Sequence, residues 1–492
     1  MNLPARMDAT RKSVADRSPL RKPLNTRRPG VSRRRFLRTT LTLTAVSVVP
    51  RWILGGPGLA PPSNRLNVAI IGAGGQGITN LKELLKHPDV AVSAICDVAE
   101  FWDNSHLYYR HNGGRGPAKQ AVAEHIKQNP DLGRRDPAVY FDFRTMLEQA
   151  QRDIDAVLVA APNHIHAVAC AAAMRAGKGV YCEKPLTHSI YEARQLARLA
   201  LEMKVATQMG NQGHSTDDIR RAVEWIRAGA IGPVRQVHAW ASGPNRPLPT
   251  ARPADTPPEP DGLSWDLWIG PAKLRPYHPA YTPLMFHYWW DFGSGTLGNF
   301  GCHTLDTAVW ALDLEHPILV EASSTALNEE TTPLAATYHW VFPGRSGRDR
   351  IEVFWYDGGL RPPRPACLEP DEDLPAGGGS LIVGDAGAVL SGVWSGSPRI
   401  IPEEKMLQYQ PPPPTIPRSK GHHRDWIEAC KGGPPASANF DFAARLTEIV
   451  LLGSVALRTG KTLHWNGPSM TASHAPEAEP FIHGHFRKGW EL

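Results

Sequence analysis

Through the first half of the chain, short apolar runs alternate with amphipathic segments. LNVAIIGAG (66–74) has the pattern of a buried strand, GITNLKELLKH that of a helix, and VAVSAICD (90–97) that of a second strand. A helix is expected near 117–128, a short strand at VYF (139–141) and a strong one at DAVLVAAP (155–162). The pattern continues with a helix in HAVACAAAMRAG that ends at Gly177, then a strand in GKGVYCEKP (177–185). A helix over 190–204 and a strand over 205–211 complete it. Strands separated by helices of this length predict parallel β-α-β units.

Beyond residue 212 the rhythm changes. A helix (217–228) and VRQVHAWAS (234–242) lead into PNRPLPTARPADTPPEPDG, too rich in proline for sheet or helix and so a long surface loop. The extended stretches ILVEASSTAL, AATYHWVF, RIEVFWYDGG and SLIVGDAGAVLSG suit an open, mainly antiparallel sheet. A second rigid loop, YQPPPPTIP (409–417), precedes a helix-rich segment, 421–459. The expected class is α/β: an N-terminal doubly wound parallel sheet of Rossmann type, then a C-terminal α/β domain with a large open sheet. The expected divisions are a leader and linker over 1–60, the first domain over 61–188 and the second over 189–492.

Charge changes the picture only at the N-terminus. The 492-residue chain is formally +6, but residues 1–38 hold twelve Arg or Lys against Asp8 and Asp16. The body from residue 61 is mildly acidic, which argues against a nucleic-acid partner. Ser32-Arg33-Arg34-Arg35-Phe36-Leu37, followed by a modest apolar run, resembles a twin-arginine (Tat) export signal. The expectation is export to the periplasm or beyond through the Tat translocase; the competing reading is a basic tail. None of the six cysteines forms a C-x-x-C pair, and Cys96, Cys170 and Cys182 lie in apolar runs as small hydrophobes.

The first chemical motif is Gly72-Ala73-Gly74-Gly75-Gln76-Gly77, a G-x-G-x-x-G placed after a strand and at the opening of a helix. Its glycines allow backbone to approach a pyrophosphate that the helix N-terminus stabilises. Asp97, twenty residues beyond Gly77, is placed to accept ribose hydroxyls, and Val98-Ala99 after it supply no arginine for a 2′-phosphate. The pattern favours NAD over NADP. Glu183-Lys184-Pro185 ends a parallel strand on the edge where ligands of such sheets bind. A lysine beside the positive nicotinamide ring would lose basicity and suit a general base; a solvated surface lysine is the alternative. Asn299, His303 and Asp306 are spaced i, i+4 and i+7, on one face of a helix. HTLD offers at most two metal ligands and the chain has no HExxH, so no metal is expected.

With GAGGQG, AAPNHIHA (160–167), CEKPL (182–186), MGNQGHS (209–215), WDLWIGPA (265–272) and WWDFGSGTLGNFGCHTLD (289–306), the chain resembles the Gfo/Idh/MocA oxidoreductases from about Asn67 to its C-terminus. The resemblance implies a Rossmann domain, an open sheet whose face covers the nicotinamide, a sugar or polyol substrate, and frequent homo-oligomers. It assigns cofactor contacts to Gly72, Gly74, Gln76, Gly77, Asp97, Pro162, Asn163, His166, Glu183 and Lys184; for His166 a structural role competes. The family's catalytic lysine, aspartate and histidine fall on Lys184, Asn299 and His303. Asn299 is a departure, because an amide can hold a hydroxyl but cannot take its proton. Asn211, Gln212 and His214 are candidates to line the substrate side. Trp289 and Trp290 are candidates to stack on a sugar, with core packing the competing role, and Arg246 is a candidate lid contact. The implied activity is NAD-dependent oxidation of a secondary hydroxyl. The rivals are a glycosidase that oxidises, eliminates and re-reduces with the same NAD, and a sugar- or nucleotide-binding protein that has lost catalysis.

Overall fold

The computed structural model describes residues 64–243, 248–344 and 349–492; the expected export signal and Arg246 lie outside them. Within it, β1 (Leu66–Ile71), α1 (Gly75–Leu85), β2 (Val90–Cys96), α2 (Arg115–Gln128), β3 (Ala138–Tyr140) and α3 (Phe143–Gln149) follow one another in chain order. β4 (Ala156–Val159), α4 (Asn163–Arg175), β5 (Gly179–Cys182), α5 (Ile190–Met203) and β6 (Thr207–Met209) continue the alternation. The six strands form one parallel sheet, ordered β3-β2-β1-β4-β5-β6. β4 and β5 are buried at every position, the pattern of parallel strands covered by helices on both faces. The order reverses between β1 and β4, which opens a crevice at the carboxyl ends of the strands. The sheet takes its last strand from residues 207–209, beyond the expected domain end at 188, because β6 pairs with β5.

After α6 (Asp217–Arg227) come β7 (Val234–Ala241), α7 (Trp265–Ile269), α8 (Gly295–Thr304) and α9 (Asp306–Leu312). The second sheet then uses β8 (Leu319–Ser324), β9 (Ala336–Phe342), β10 (Ile351–Tyr356), β11 (Gly378–Gly384), β12 (Gly387–Gly392) and β13 (Arg399–Ile401). It closes, after α10 (Glu403–Gln408), α11 (His422–Cys430) and α12 (Phe440–Thr459), with β14 (Leu463–Asn466) and β15 (Thr471–Ser473). Its order is β13-β12-β11-β7-β10-β9-β8-β14-β15, antiparallel except where β7 and β10 run parallel. The apparent single strand SLIVGDAGAVLSG is a hairpin that turns at Asp385-Ala386. β9 alternates buried and half-buried residues, so one face joins the core and the other stays partly open.

The described cysteines are all free, and Cys96, Cys170, Cys182 and Cys302 are buried. α12 carries the junction of the two sheets: it packs on β8, α5 and α8 and is buried along most of its twenty residues. Asn439 caps its start by accepting from the amides of Asp441 and Phe442, and Gly460 ends it in a left-handed conformation. At Gly453 α12 lies close against the sheet. A Cβ there would stand 2.7 Å from Leu297 Cδ2 and from the Trp340 ring. Gly453→Ala is expected to destabilise the protein by about 1–3 kcal/mol through overpacking. In a denaturant titration the midpoint should fall while the slope stays constant.

Candidate functional site

The loop after β1 is shaped by two glycines. Gly72 has φ +84°, and a side chain there would strike the Ala160 carbonyl. A Cβ on Gly77 would come 2.0 Å from the Gly72 oxygen, so α1 can start against the loop only without one. Gly74 differs from both. Its φ is −75°, and a Cβ there would meet nothing within 4 Å, because it faces the open cleft. The result is a cradle at the N-terminus of an eleven-residue helix that suits a diphosphate.

Asp97 follows β2, but its carboxylate is engaged within the protein. Oδ2 accepts from the Ala73 amide at 2.6 Å, and Oδ1 accepts from the Ala99 amide at 2.9 Å and Trp102 Nε1 at 3.3 Å. Burial nevertheless pushes its pKa up against those bonds. Asp97 still lines the cleft, and Oδ2, which accepts one bond against two on Oδ1, has a second lone pair for a ribose hydroxyl. A nearby cation, Arg115, donates to the Asp97 carbonyl and is paired with Glu100 at 3.2 Å, so it does not offer a 2′-phosphate site.

Pro162 and Asn163 start α4 on the cleft wall, and Asn163 Nδ2 donates to Ser294 Oγ at 3.1 Å. Both ring nitrogens of His166 stand 2.8 Å from carbonyl oxygens, those of Pro185 and Ala161. Burial pushes its pKa down to about 4 while the two carbonyls raise it, and the ring links the turn after β4 to the turn after β5. Its edge also lines the cleft. Glu183 is buried, with Oε1 accepting from Asn80 Nδ2 at 2.9 Å, Gln212 Nε2 at 3.1 Å and the Tyr181 hydroxyl at 3.3 Å. Burial raises its pKa despite these donors.

Lys184 follows β5 by two residues, lines the cleft and reaches α8. Its Nζ donates to Asn299 Oδ1 at 2.6 Å and to the Asn299 carbonyl at 3.0 Å. Both acceptors are neutral. Burial is the main influence on the amine and lowers its pKa, while Glu183 raises it. With Oδ1 occupied by the lysine, the two N–H bonds of the Asn299 amide remain to be used on the cleft side. His303, one turn along α8, stands outside the cleft lining, with Nδ1 buried and unpartnered. Burial and then Lys184 hold its pKa well below the usual imidazole range.

Several expected site residues sit elsewhere. Asn211 and His214 do not face the cleft: Asn211 Nδ2 donates to Asp306 Oδ2 at 2.8 Å, and His214 Nδ1 meets Asp306 Oδ1 at 2.7 Å. All three are at least 98 % buried, so this is a brace that ties the loop after β6 to α9. Gln212 is turned to Tyr181 and Glu183. Trp289 is wholly buried among Tyr281, Trp265, Trp268 and Phe292, with Nε1 donating to the Ala280 carbonyl at 2.9 Å. Trp290 is 4 % exposed and lies under Arg458. Neither tryptophan can stack on a ligand: Trp289 packs with the tryptophans of α7, and Trp290 joins the main core beside α12. Among the described residues, no group of three or more His, Cys, Asp or Glu is arranged to hold a metal.

The cleft also has walls that the sequence did not reveal. Leu284, Phe286 and His287 form one side. The Nδ1 of His287 is buried without a partner, and burial, then Lys184 and His166, push its pKa well down. Gly293 makes this possible, because a Cβ there would strike the His287 backbone. Opposite, the Tyr109 ring lies directly over Gly75. These segments lack helical or strand periodicity, so the only sequence signal was a histidine among aromatic residues in FHYWW.

Two family profiles match the chain: an oxidoreductase family with an NAD-binding Rossmann fold over residues 66–211, and the C-terminal alpha/beta domain of an oxidoreductase family over 251–341. A glycosyl hydrolase family 109 protein of Stenotrophomonas maltophilia is 26 % identical over 212 residues, 42 % of each chain. A levoglucosan dehydrogenase of Pseudarthrobacter phenanthrenivorans is 28 % identical over 143 residues, 27 % of this chain and 35 % of its own. The chain thus matches less than half the length of these curated relatives. Among solved structures, the WlbA dehydrogenase of Bordetella pertussis, in complex with NADH and UDP-GlcNAcA, shares the fold with a TM-score of 0.54. It is 16 % identical and aligned over 82 % of this chain and 99 % of its own. The aldose-aldose oxidoreductase of Caulobacter crescentus aligns with a TM-score of 0.51 and 18 % identity over 82 % and 100 % of the two chains.

The cradle at Gly74 can be tested directly. Gly74→Val puts a side chain into open cleft space, though at a ψ of −141° that β-branched residues disfavour. It is expected to weaken NAD binding at least tenfold by calorimetry, about 1.4 kcal/mol, with a melting curve of the free protein separating this from any backbone cost.

Proposed function

We propose that this chain is a member of the Gfo/Idh/MocA oxidoreductase family and that it oxidises a secondary hydroxyl of a sugar, polyol or glycoside with NAD, a reading supported by the profiles matched over 66–211 and 251–341. The observation that carries the reading is the Lys184 amine, desolvated at the carboxyl edge of the sheet and held by an amide where a carboxylate was expected. An aspartate at 299 would pair with the ammonium and keep it protonated. Asn299 fixes the position of Nζ through the same oxygen yet leaves the lysine free to be neutral. What looked like a lost base is therefore a way of making Lys184 the base.

In this mechanism the loop 72–77, Asp97 and the turn 161–163 hold the dinucleotide, which supplies the hydride acceptor when bound. Asn299 Nδ2 donates to the substrate hydroxyl oxygen, and neutral Lys184 takes the hydroxyl proton at Nζ. Glu183, one residue away, stabilises the ammonium that results. The walls formed by Leu284 and Phe286 keep water from the reacting carbon.

A second reading, glycoside cleavage by oxidation, elimination and re-reduction, is favoured by His287. Its unpartnered Nδ1 in the same cleft provides a second neutral proton acceptor, which elimination of an aglycone needs next to the ketone. We also propose that the twin-arginine leader exports the protein after it has folded around NAD.

NADH absorbance with a sugar panel tests the dehydrogenase reading, and aglycone release without net NADH would favour the second. Lys184→Ala should lower kcat/KM by about 10²–10⁴-fold; full activity in this variant would remove the mechanism. Because the neutral amine is the active form, the rate falls as pH drops below the lysine pKa. Asn299→Asp raises that pKa, so the acidic limb of the pH profile should move upward by roughly one unit or more. For the leader, replacing Arg33 and Arg34 by lysine should trap the precursor in the cytoplasm, as read by cell fractionation.

A further inference from the structure

Between β2 and α2 the chain makes a strap over the phosphate loop. Its two ends meet in an antiparallel bridge: the Trp102 amide donates to the Gly113 carbonyl at 2.8 Å, and the Gly113 amide donates to the Trp102 carbonyl at 2.9 Å. Both ends are fixed to the site. Trp102 Nε1 donates to Asp97 Oδ1, and the Gly114 amide donates to the Ala73 carbonyl at 2.7 Å. Residues 103–112, between them, are folded by hydrogen bonds of their own. Asp103 Oδ1 accepts from the Ser105 amide at 3.0 Å, the Asn104 carbonyl from the Leu107 amide at 3.0 Å, and the Leu107 carbonyl from the Arg110 amide at 3.0 Å. The strap carries the Tyr109 ring to its place over Gly75.

Within the strap, Asn104 is turned inward. It is 0 % exposed, and its Nδ2 and Oδ1 are both buried without a hydrogen-bond partner. A buried carboxamide ordinarily satisfies both ends, so one that satisfies neither calls for an explanation. Its surroundings supply one. Asn104 and Gly74 both line the cleft. The position of a Cβ on Gly113 would lie 2.9 Å from Gly74 Cα and 3.0 Å from Asn104 Nδ2, so the amide nitrogen and the phosphate loop flank the same point. Gly113 has no side chain to part them. A donor beside a glycine cradle and the N-terminus of an eleven-residue helix suits an anion that accepts from several directions, and a diphosphate is such a group.

We propose that Asn104 is a ligand of the dinucleotide. The strap lifts on its Trp102–Gly113 bridge to admit NAD and shuts again over it. In the shut state Asn104 donates from Nδ2 to the diphosphate and accepts a ribose hydroxyl at Oδ1, the two kinds of group that the ADP half of the cofactor offers. Closing the strap and holding the cofactor are then one event, because the amide finds on the cofactor the partners it lacks within the protein. The proposal rests on the reading of the cleft as an NAD site. To that it adds a residue outside the glycine motif that sets how long the cofactor stays.

Calorimetry and melting curves on Asn104→Ala test it. Because the side-chain amide bonds nothing within the protein, the free variant should melt close to the wild-type temperature. Its affinity for NAD should nevertheless fall by about tenfold to a hundredfold, the range for a hydrogen bond to a charged group. ADP-ribose has the diphosphate and both ribose rings but no nicotinamide, and it should lose the same factor. Stopped-flow kinetics should show the loss chiefly as faster release. Asn104→Asp keeps the shape of the side chain but sets a carboxylate against the diphosphate, and should bind NAD no better than Asn104→Ala. The role is overturned if either variant binds NAD as tightly as wild type, or if NAD is weakened while ADP-ribose is not. It is overturned as well if Asn104→Ala melts well below wild type, since the amide would then be holding the strap. Failure of the wild-type protein to bind NAD would instead remove the cofactor reading itself, an outcome distinct from unchanged affinity in the variants.

Discussion

An amine taken out of water against neutral oxygens governs this molecule. Lys184 stands two residues past the end of a parallel strand, and its Nζ donates to the side-chain and main-chain oxygens of Asn299. A buried ammonium without a carboxylate partner costs free energy, and the group relieves that cost by giving up its proton more readily. For the cost to be useful, Asn299 must be held still. It stands on α8, which α12 supports from behind, and α12 is wedged between α5 of the first sheet and β8 of the second. The single contact at the cleft therefore draws on the packing of both sheets.

The polar network around Asp306 does related work. Asp306 is 1 % exposed, and His214 and Asn211 give its two carboxylate oxygens the partners that burial demands. These bonds fix the loop that leaves β6 relative to the helix that follows α8. That loop in turn packs against the turn of Trp394 through Gly213. Residues that looked like substrate contacts thus act one step back, by setting the positions of the elements that surround the site.

Legibility in the sequence followed the range of the interactions involved. The phosphate loop was readable because glycine at 72 and 77 is demanded by close neighbours, the backbone of Ala160 and of Gly72 itself. The strands of the first sheet were readable because burial on both faces leaves unbroken apolar runs. The parallel pairing of β7 with β10 was not, since it joins segments more than a hundred residues apart by backbone bonds that leave no side-chain signature. His287 was invisible for a similar reason: it lies in an irregular turn that reaches the cleft only because Gly293 lets the chain fold back on it.

By itself, the sequence determined the alternation of strand and helix, the dinucleotide loop, the lysine at the strand end and the amide opposite it. Each depends on local backbone sterics or on periodic burial, which a linear pattern records. The tertiary structure alone decided what those groups face. It turned Trp289 and Trp290 inward, gave Asn211 and His214 to Asp306, and brought His287 to the cleft. It also changed the meaning of Asn299. On a line of residues an amide in place of a carboxylate is a missing base; placed 2.6 Å from a desolvated lysine, it holds the amine without a countercharge.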